Sequence, residues 1–146
     1  MNAPAPFMNS NDRLSRWEKA RRTKAWRSSA FLLARVNHLP QGLERIRVDA
    51  VLYFTTARDR DTSNYELTLK PIVDALGPDK SRVSKDKQGR LKRVEAPGWG
   101  VIPNDTPKHL SGPHIVLDEI PLGDVLSFGK VQLTITDLTP TVESAA

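Results

Sequence analysis

The period of the apolar positions changes along the chain, and the changes mark out its elements. From Leu14 to Asn37 the sequence is rich in Ala, Leu, Arg and Lys and holds neither Gly nor Pro, a composition that favours a helix. Trp26, Ala30 and Leu33, widened by Phe31 and Ala34, give its second half an apolar face. The first half offers only Trp17 and Ala20, surrounded by Arg13, Arg16, Lys19, Arg21, Arg22, Lys24 and Arg27. Asn11 or Asp12 is placed to cap this helix. Trp17 and Trp26 read as structural residues of a core or interface, with base stacking as the alternative. Pro40 and Gly42 end the helical region.

Alternation takes over from Ile46 to Thr55. Ile46, Val48, Ala50, Leu52 and Phe54 share one face, and Val51 and Tyr53 on the other predict a central strand covered on both sides. Patterning stops at Ala57-Arg58-Asp59-Arg60-Asp61-Thr62-Ser63-Asn64, where charge replaces it. A second helix follows. Two starts are open. One near Asn64 puts Tyr65, Leu69, Ile72, Val73 and Leu76 on one face. One with Thr68 as N-cap is preferred, because it leaves Pro71 in the first turn, where no amide proton is needed. Gly77-Pro78 terminates it. Asp79 to Pro97 is hydrophilic, with a turn at Lys87-Gln88-Gly89, and forms either a protruding hairpin or a mobile loop. Trp99 to Ile102 is a short strand or a connection, and Pro103 to Pro107 a polar turn. Ile115 to Ile120 and Val131 to Leu138 are strand candidates. Residues 1–10 and 139–146 read as a flexible N-terminus and a loose tail. The expected fold is α+β, a small mixed sheet packed with helices in a single domain over residues 1–146.

Composition narrows the function. Among the 146 residues there is no cysteine, so thiolate catalysis, disulfides and Cys-ligated metals are excluded, and a reducing cytoplasmic setting is expected. No apolar run approaches the roughly 18 residues of a membrane span, and Met1 to Asn11 lacks a secretory pattern. His38, His109 and His114 have no metal-binding spacing and read as loop or strand-edge residues. The net charge of +5 is unevenly distributed: Asp12 to Arg47 holds ten basic residues against three acidic, and Lys80 to Arg93 holds seven against Asp86 alone. Two concentrated positive blocks suit a polyanion; a solvated surface is the plainer reading.

The chemistry-bearing candidates are acids. Asp59 and Asp61 stand two apart after the central strand, and Asp105 follows a later turn that can fold back beside them. Oxygen ligands of this kind suit Mg²⁺, which orients water and offsets charge on a scissile phosphate. Lys70 is the candidate for stabilising developing charge. The plainer alternative for these acids is capping and surface ion pairing.

Several linked patterns then resemble one family. Asn11, Arg13, Trp17, Lys19-Ala20-Arg21, Thr23 and Ala25-Trp26-Arg27 form the first. Arg60-Asp61, Asn64, Thr68-Leu69-Lys70 and Asp74-Ala75-Leu76 form the second, and Gly100-Val101-Ile102-Pro103-Asn104-Asp105-Thr106-Pro107 the third. In this order they resemble the RusA family of phage and prophage Holliday-junction resolvases, particularly its longer actinobacterial-type members. The resemblance implies a homodimeric endonuclease, acting in the cytoplasm of the host, that resolves four-way DNA junctions with Mg²⁺ or Mn²⁺ and needs no small-molecule cofactor or membrane. It places the essential acids at Asp61, at the position of Ser63 and at Asp105, and the functional lysine at Lys70. It makes Asn64, Thr68 and Asp74 structural. The DNA-binding set would be the helical cations named above, Arg58 and Arg60, and Lys80, Arg82, Lys85, Lys87, Arg90, Lys92 and Arg93.

Three departures bear on activity. Ser63 stands where the pattern has aspartate, Asn104 replaces the first acid of the later turn, and the strand expected ahead of the first helix is reduced to Met1–Ser10. The segment Asp79 to Gly98 is an insertion. Asp59 or Glu66 is positioned to substitute for the missing carboxylate, and the alternative function is a junction-binding relative with weak or lost catalysis.

Overall fold

The computed structural model describes residues 1–56, 58–120 and 128–140. Its elements run α1 (Arg16–Val36), β1 (Ile46–Phe54), a 3₁₀ turn (Thr62–Tyr65), α2 (Glu66–Leu76), β2 (Lys80–Lys85), β3 (Leu91–Ala96), β4 (Leu110–Glu119) and β5 (Lys130–Asp137). This is an α+β arrangement with one mixed sheet in the order β4-β1-β5 and a separate β2-β3 hairpin. β1 is central, parallel to β4 and antiparallel to β5.

Alternation along β1 decides which face is covered. Ile46, Val48, Ala50, Leu52 and Phe54 are all buried. They meet Trp26 and Ala30 of α1 and Leu69, Ile72 and Ala75 of α2 in one cluster, and Ala34, Val73 and Leu76 in another. The other face differs from the two-sided burial expected: Val51 and Tyr53 are only half-buried and Val116 is exposed. Both helices pack on one side, so the face carrying Val51, Tyr53 and Val116 is left without a second layer among the described residues.

In α1 the buried stripe is Trp26, Ala30 and Ala34, at intervals of four residues. Leu33 is exposed, and Trp17, expected in a core or an interface, is 81% exposed and so takes no part in the core. The N-cap is Ser15, whose hydroxyl accepts from the Glu18 amide, rather than Asn11 or Asp12. Asp12 instead accepts from the Asn9 amide in the preceding turn.

Thr68 is not the cap of α2. The helix begins two residues earlier, and Pro71 lies inside it. The 3₁₀ turn, N-capped by Asp61, starts the coil upstream of the position the proline suggested. Fully buried, the Thr68 hydroxyl accepts from the Met8 amide at 2.7 Å and donates to the Met8 carbonyl at 3.1 Å. The N-terminal segment is thereby fixed, contrary to the loose terminus expected. Met8 and Ala5 are buried, Phe7 stacks on Trp26 with ring centroids 5.5 Å apart, and Asn2 bridges Lys130 on β5. The insertion is a hairpin in register from Lys80↔Ala96 to Lys85↔Leu91, and Trp99 to Ile102 is a connection. Of the expected tail, residues 141–146 lie outside those described.

The Thr68–Met8 exchange generates a stability prediction. Thr68→Val keeps the shape but strips a buried amide and carbonyl of their partner, which costs about 2–3 kcal/mol. Urea unfolding should show this loss with an unchanged slope; a midpoint equal to wild type would mean the segment is held by its apolar side chains alone.

Candidate nucleic-acid interface

The basic helix α1 and the base of the basic hairpin, more than fifty residues apart in sequence, meet across one groove. A cavity of about 1200 Å³ is lined by Arg16, Lys19, Ala20, Thr23, Lys24, Arg27 and Ser28 of α1, and by Asp79, Lys80, Ser81, Glu95, Ala96 and Pro97 at the hairpin base. Within the α1 lining, Arg16, Ala20 and Lys24, and likewise Lys19, Thr23 and Arg27, recur every four residues, about one helical turn. The hairpin is closed at its base by backbone proximity: Gly98 passes so near the Gly77 carbonyl that a Cβ there would collide with it.

Some cations of this region are fasteners. Arg27 donates from Nη2 to the carbonyls of Ala96 (3.0 Å) and Pro97 (3.2 Å), tying α1 to the hairpin. Its Nη1 lies 4.0 Å from Asp74. Arg22 and Arg21 both bond Glu18, holding that carboxyl down to about 2. Arg60, expected on DNA, stacks over Phe54 with its guanidinium carbon 3.9 Å from the ring centroid, and donates to the Thr56 carbonyl and hydroxyl. Among the described residues, no ion pair engages Arg13, Arg16, Lys19, Lys24, Arg58, Lys85, Lys87, Arg90 or Lys92. Arg93 pairs with Glu95 at 3.6 Å.

Asp74 is the electrostatic centre beneath the groove. Only 18% exposed, its carboxylate accepts from Lys70 (3.0 Å) and Lys80 (3.2 Å) as well as facing Arg27. Lys70 also reaches Asp105 at 3.1 Å. Hydrogen bonding to Lys70 lowers the Asp105 pKa from its usual range, and bonding first to Asp74, then to Asp105, raises that of Lys70. The sign follows on both sides. The stabilisation from Asp105 is present above the usual carboxylate pKa and lost as pH falls through the lowered one. That from Lys70 is present below the usual lysine pKa and lost above the raised one.

The predicted acidic site is divided. Asp61 caps the 3₁₀ turn, accepting at Oδ1 from both the Ser63 amide (3.0 Å) and the Ser63 hydroxyl (2.9 Å). Ser63 is thus a donor to Asp61 through both its amide and its hydroxyl. Asp59 and Asp61 line a smaller cleft of about 440 Å³ with Asn9, Asn11, Arg58, Arg60, Asn64 and Tyr65. Asn64 anchors the N-terminal segment there, its backbone carbonyl accepting from the Ser10 amide and its side chain from the Ser10 hydroxyl. Asp105 belongs elsewhere. Asp105 is held by the Lys70 ammonium and is not among the residues lining that cleft. Mg²⁺ needs oxygens within about 2.1 Å of one point. Among the described residues, no group of three His, Cys, Asp or Glu side chains meets that need. Asp59, Asp61 and Asp105 are thus not gathered into one three-carboxylate cluster. The imidazoles are engaged locally, His109 with the Glu44 carbonyl and His114 with Ser111.

No family model, curated protein or solved structure matches the chain. No helix among the described residues is long and apolar enough to cross a membrane.

Sequence reasoning named the groove's cations and Asp74. It missed Arg27 as a bridge, because its partners are backbone carbonyls that carry no sequence signature. Asp74→Asn should leave Lys70, Lys80 and Arg27 mutually repelling. The partly exposed setting limits the cost to about 1–2 kcal/mol, or roughly 3–8 °C in Tm. Calorimetry at neutral pH checks this, and a Tm within 1 °C of wild type, within the approximate error of such scans, would contradict it.

Proposed function

We propose that this protein binds branched double-stranded DNA in the groove between α1 and the β2–β3 hairpin, as a RusA-like junction-binding protein with weak or lost cleavage. The observation that carries the reading is the groove itself, lined by Arg16, Lys19, Lys24 and Arg27 of α1 and by Lys80 at the base of the basic hairpin. Cations without an ion-pair partner among the described residues stand on α1 and along the hairpin, and each phosphate they contact releases condensed counterions. A two-stranded ribbon such as β2–β3 has the dimensions of a DNA major groove. Its outer part holds Arg82, Lys85, Lys87, Arg90, Lys92 and Arg93 against Asp86, while its apolar residues Val83 and Leu91 are exposed. This composition supports a binding arm more than a structural one.

Cleavage of the bound junction is a second reading, favoured by one contact. Lys70 and Asp105, the positions to which the family resemblance assigns a functional lysine and an essential acid, are brought together across 35 residues of sequence. Mg²⁺ would supply charge neutralisation and water activation, but the separation of Asp61 from Asp105 argues for slow turnover.

Two outcomes test these readings. Affinity for a synthetic four-way junction should fall steeply between about 50 and 200 mM salt. Replacing residues 82–93 with a short Gly/Ser linker, leaving the Arg27 and Asp74 contacts intact, should weaken it at least tenfold and flatten the salt slope. Flat salt dependence or unaltered affinity would sink the DNA-binding reading. For cleavage, single-turnover assays across Mg²⁺ and Mn²⁺ should give slow nicking by wild type and faster nicking by Ser63→Asp. Asp61→Asn should abolish nicking and retain binding, and Asp59→Asn should slow it if that residue substitutes for the missing acid. No nicking by wild type or Ser63→Asp would leave binding alone.

A further inference from the structure

The three tryptophans are disposed differently. Trp26 is fully buried, and Trp99 is half-buried with its indole N–H donating to the Leu39 carbonyl at 2.8 Å. Trp17 is 81% exposed, and no aromatic or cation–π partner engages it among the described residues. Large aromatics bury well over 100 Å² when they pack, so an indole left in water is either idle or awaits a partner.

Its place on α1 points to the partner. At 100° per residue, Lys24 lies within about 20° of Trp17 on the helix surface, and Ala20 one turn away within about 60°. Lys24 and Ala20 both line the basic groove, so the indole stands on its rim. Arg16, Lys19, Lys24, Arg27 and Lys80 outnumber Asp79 and Glu95 in that lining, which selects a polyanion over an apolar protein surface. An aromatic plane beside a cationic track is the arrangement that holds an extruded base while lysine and arginine hold its phosphates. In linear duplex each base is already stacked between neighbours. Only a branch point or a single strand offers a free π-face.

We propose that Trp17 is a stacking platform for an unstacked nucleobase, through which the basic groove favours branched or single-stranded DNA over intact duplex. The proposal rests on the DNA-binding reading above and adds the origin of its structure selectivity. Stacking confers no sequence preference, because every base has a π-face.

The test compares wild type, Trp17→Ala and Trp17→Phe on three probes: a four-way junction with unpaired nucleotides at its centre, an oligothymidylate, and a linear duplex of the same arm sequence. Trp17→Ala should bind the first two about tenfold more weakly, equivalent to about 1.4 kcal/mol, and the duplex within about twofold of wild type. Trp17→Phe should recover most of the loss. A second readout needs no variant: Trp17 is the exposed indole, so oligothymidylate should quench wild-type emission and protect it from acrylamide. Equal weakening on all three probes, or no weakening and no quenching, overturns the stacking role. Wild type that binds junction and duplex in a salt-dependent way while Trp17→Ala matches it defeats this proposal alone. Wild type that binds none of the probes defeats the DNA-binding reading and this one with it.

Discussion

Burial of one face of β1 is the constraint on which the rest depends. Ile46, Val48, Ala50, Leu52 and Phe54 are too apolar to face water, and a three-stranded sheet needs a cover to be stable. α1 and α2 supply it through Trp26, Ala30, Leu69 and Ile72. At about 25 cal/mol per Å² of apolar surface removed from water, this contact outweighs any single polar interaction in the molecule. Its consequences are geometrical. The N-terminal half of α1, ahead of Trp26, has no buried apolar stripe, and its cations face the hairpin base.

Polar contacts then decide how the projecting parts are oriented. Thr68 fastens the N-terminal segment to α2, and Arg27 and Asp74 fasten α1, α2 and the hairpin base to one another. These ties divide the basic residues into two populations. Arg22, Arg27 and Arg60 are tied to carboxylates, carbonyls or an aromatic ring, whereas Arg16, Lys19 and Lys24 remain available along the groove. Net charge alone conceals that division.

The same geometry separates the acids. Asp61 stands at the beginning of the 3₁₀ turn that opens α2, while Asp105 is drawn to Lys70 in the middle of the helix. Each carboxylate has acquired a donor: the Ser63 amide and hydroxyl in one case, the Lys70 ammonium in the other. A serine at position 63 is chemically consistent with this arrangement, since a third carboxylate there would repel Asp61 without an intervening cation.

The α+β class, the central position of β1, the hairpin and the two positive blocks were legible in the sequence, because alternation, helical period and turn residues are local signals. The acids and Lys70 were legible as residue types and as a resemblance, but their grouping was not. Spacing along the chain does not fix how far apart a helix will carry two side chains. Other features were decided only by the tertiary structure. Pro71 suggested a late helix start, yet the Asp61-capped turn began the coil earlier. Thr68 had the character of a cap, yet burial against Met8 gave its hydroxyl a different partner. Met1–Ser10 had no periodicity and nonetheless packs, because the groove between Trp26, Phe54 and Tyr65 admits Phe7. Trp17 read as a core or interface residue, but the buried stripe of α1 starts only at Trp26 and leaves it in water. In each case a local preference worth about 1 kcal/mol yielded to long-range burial that no window of sequence contains.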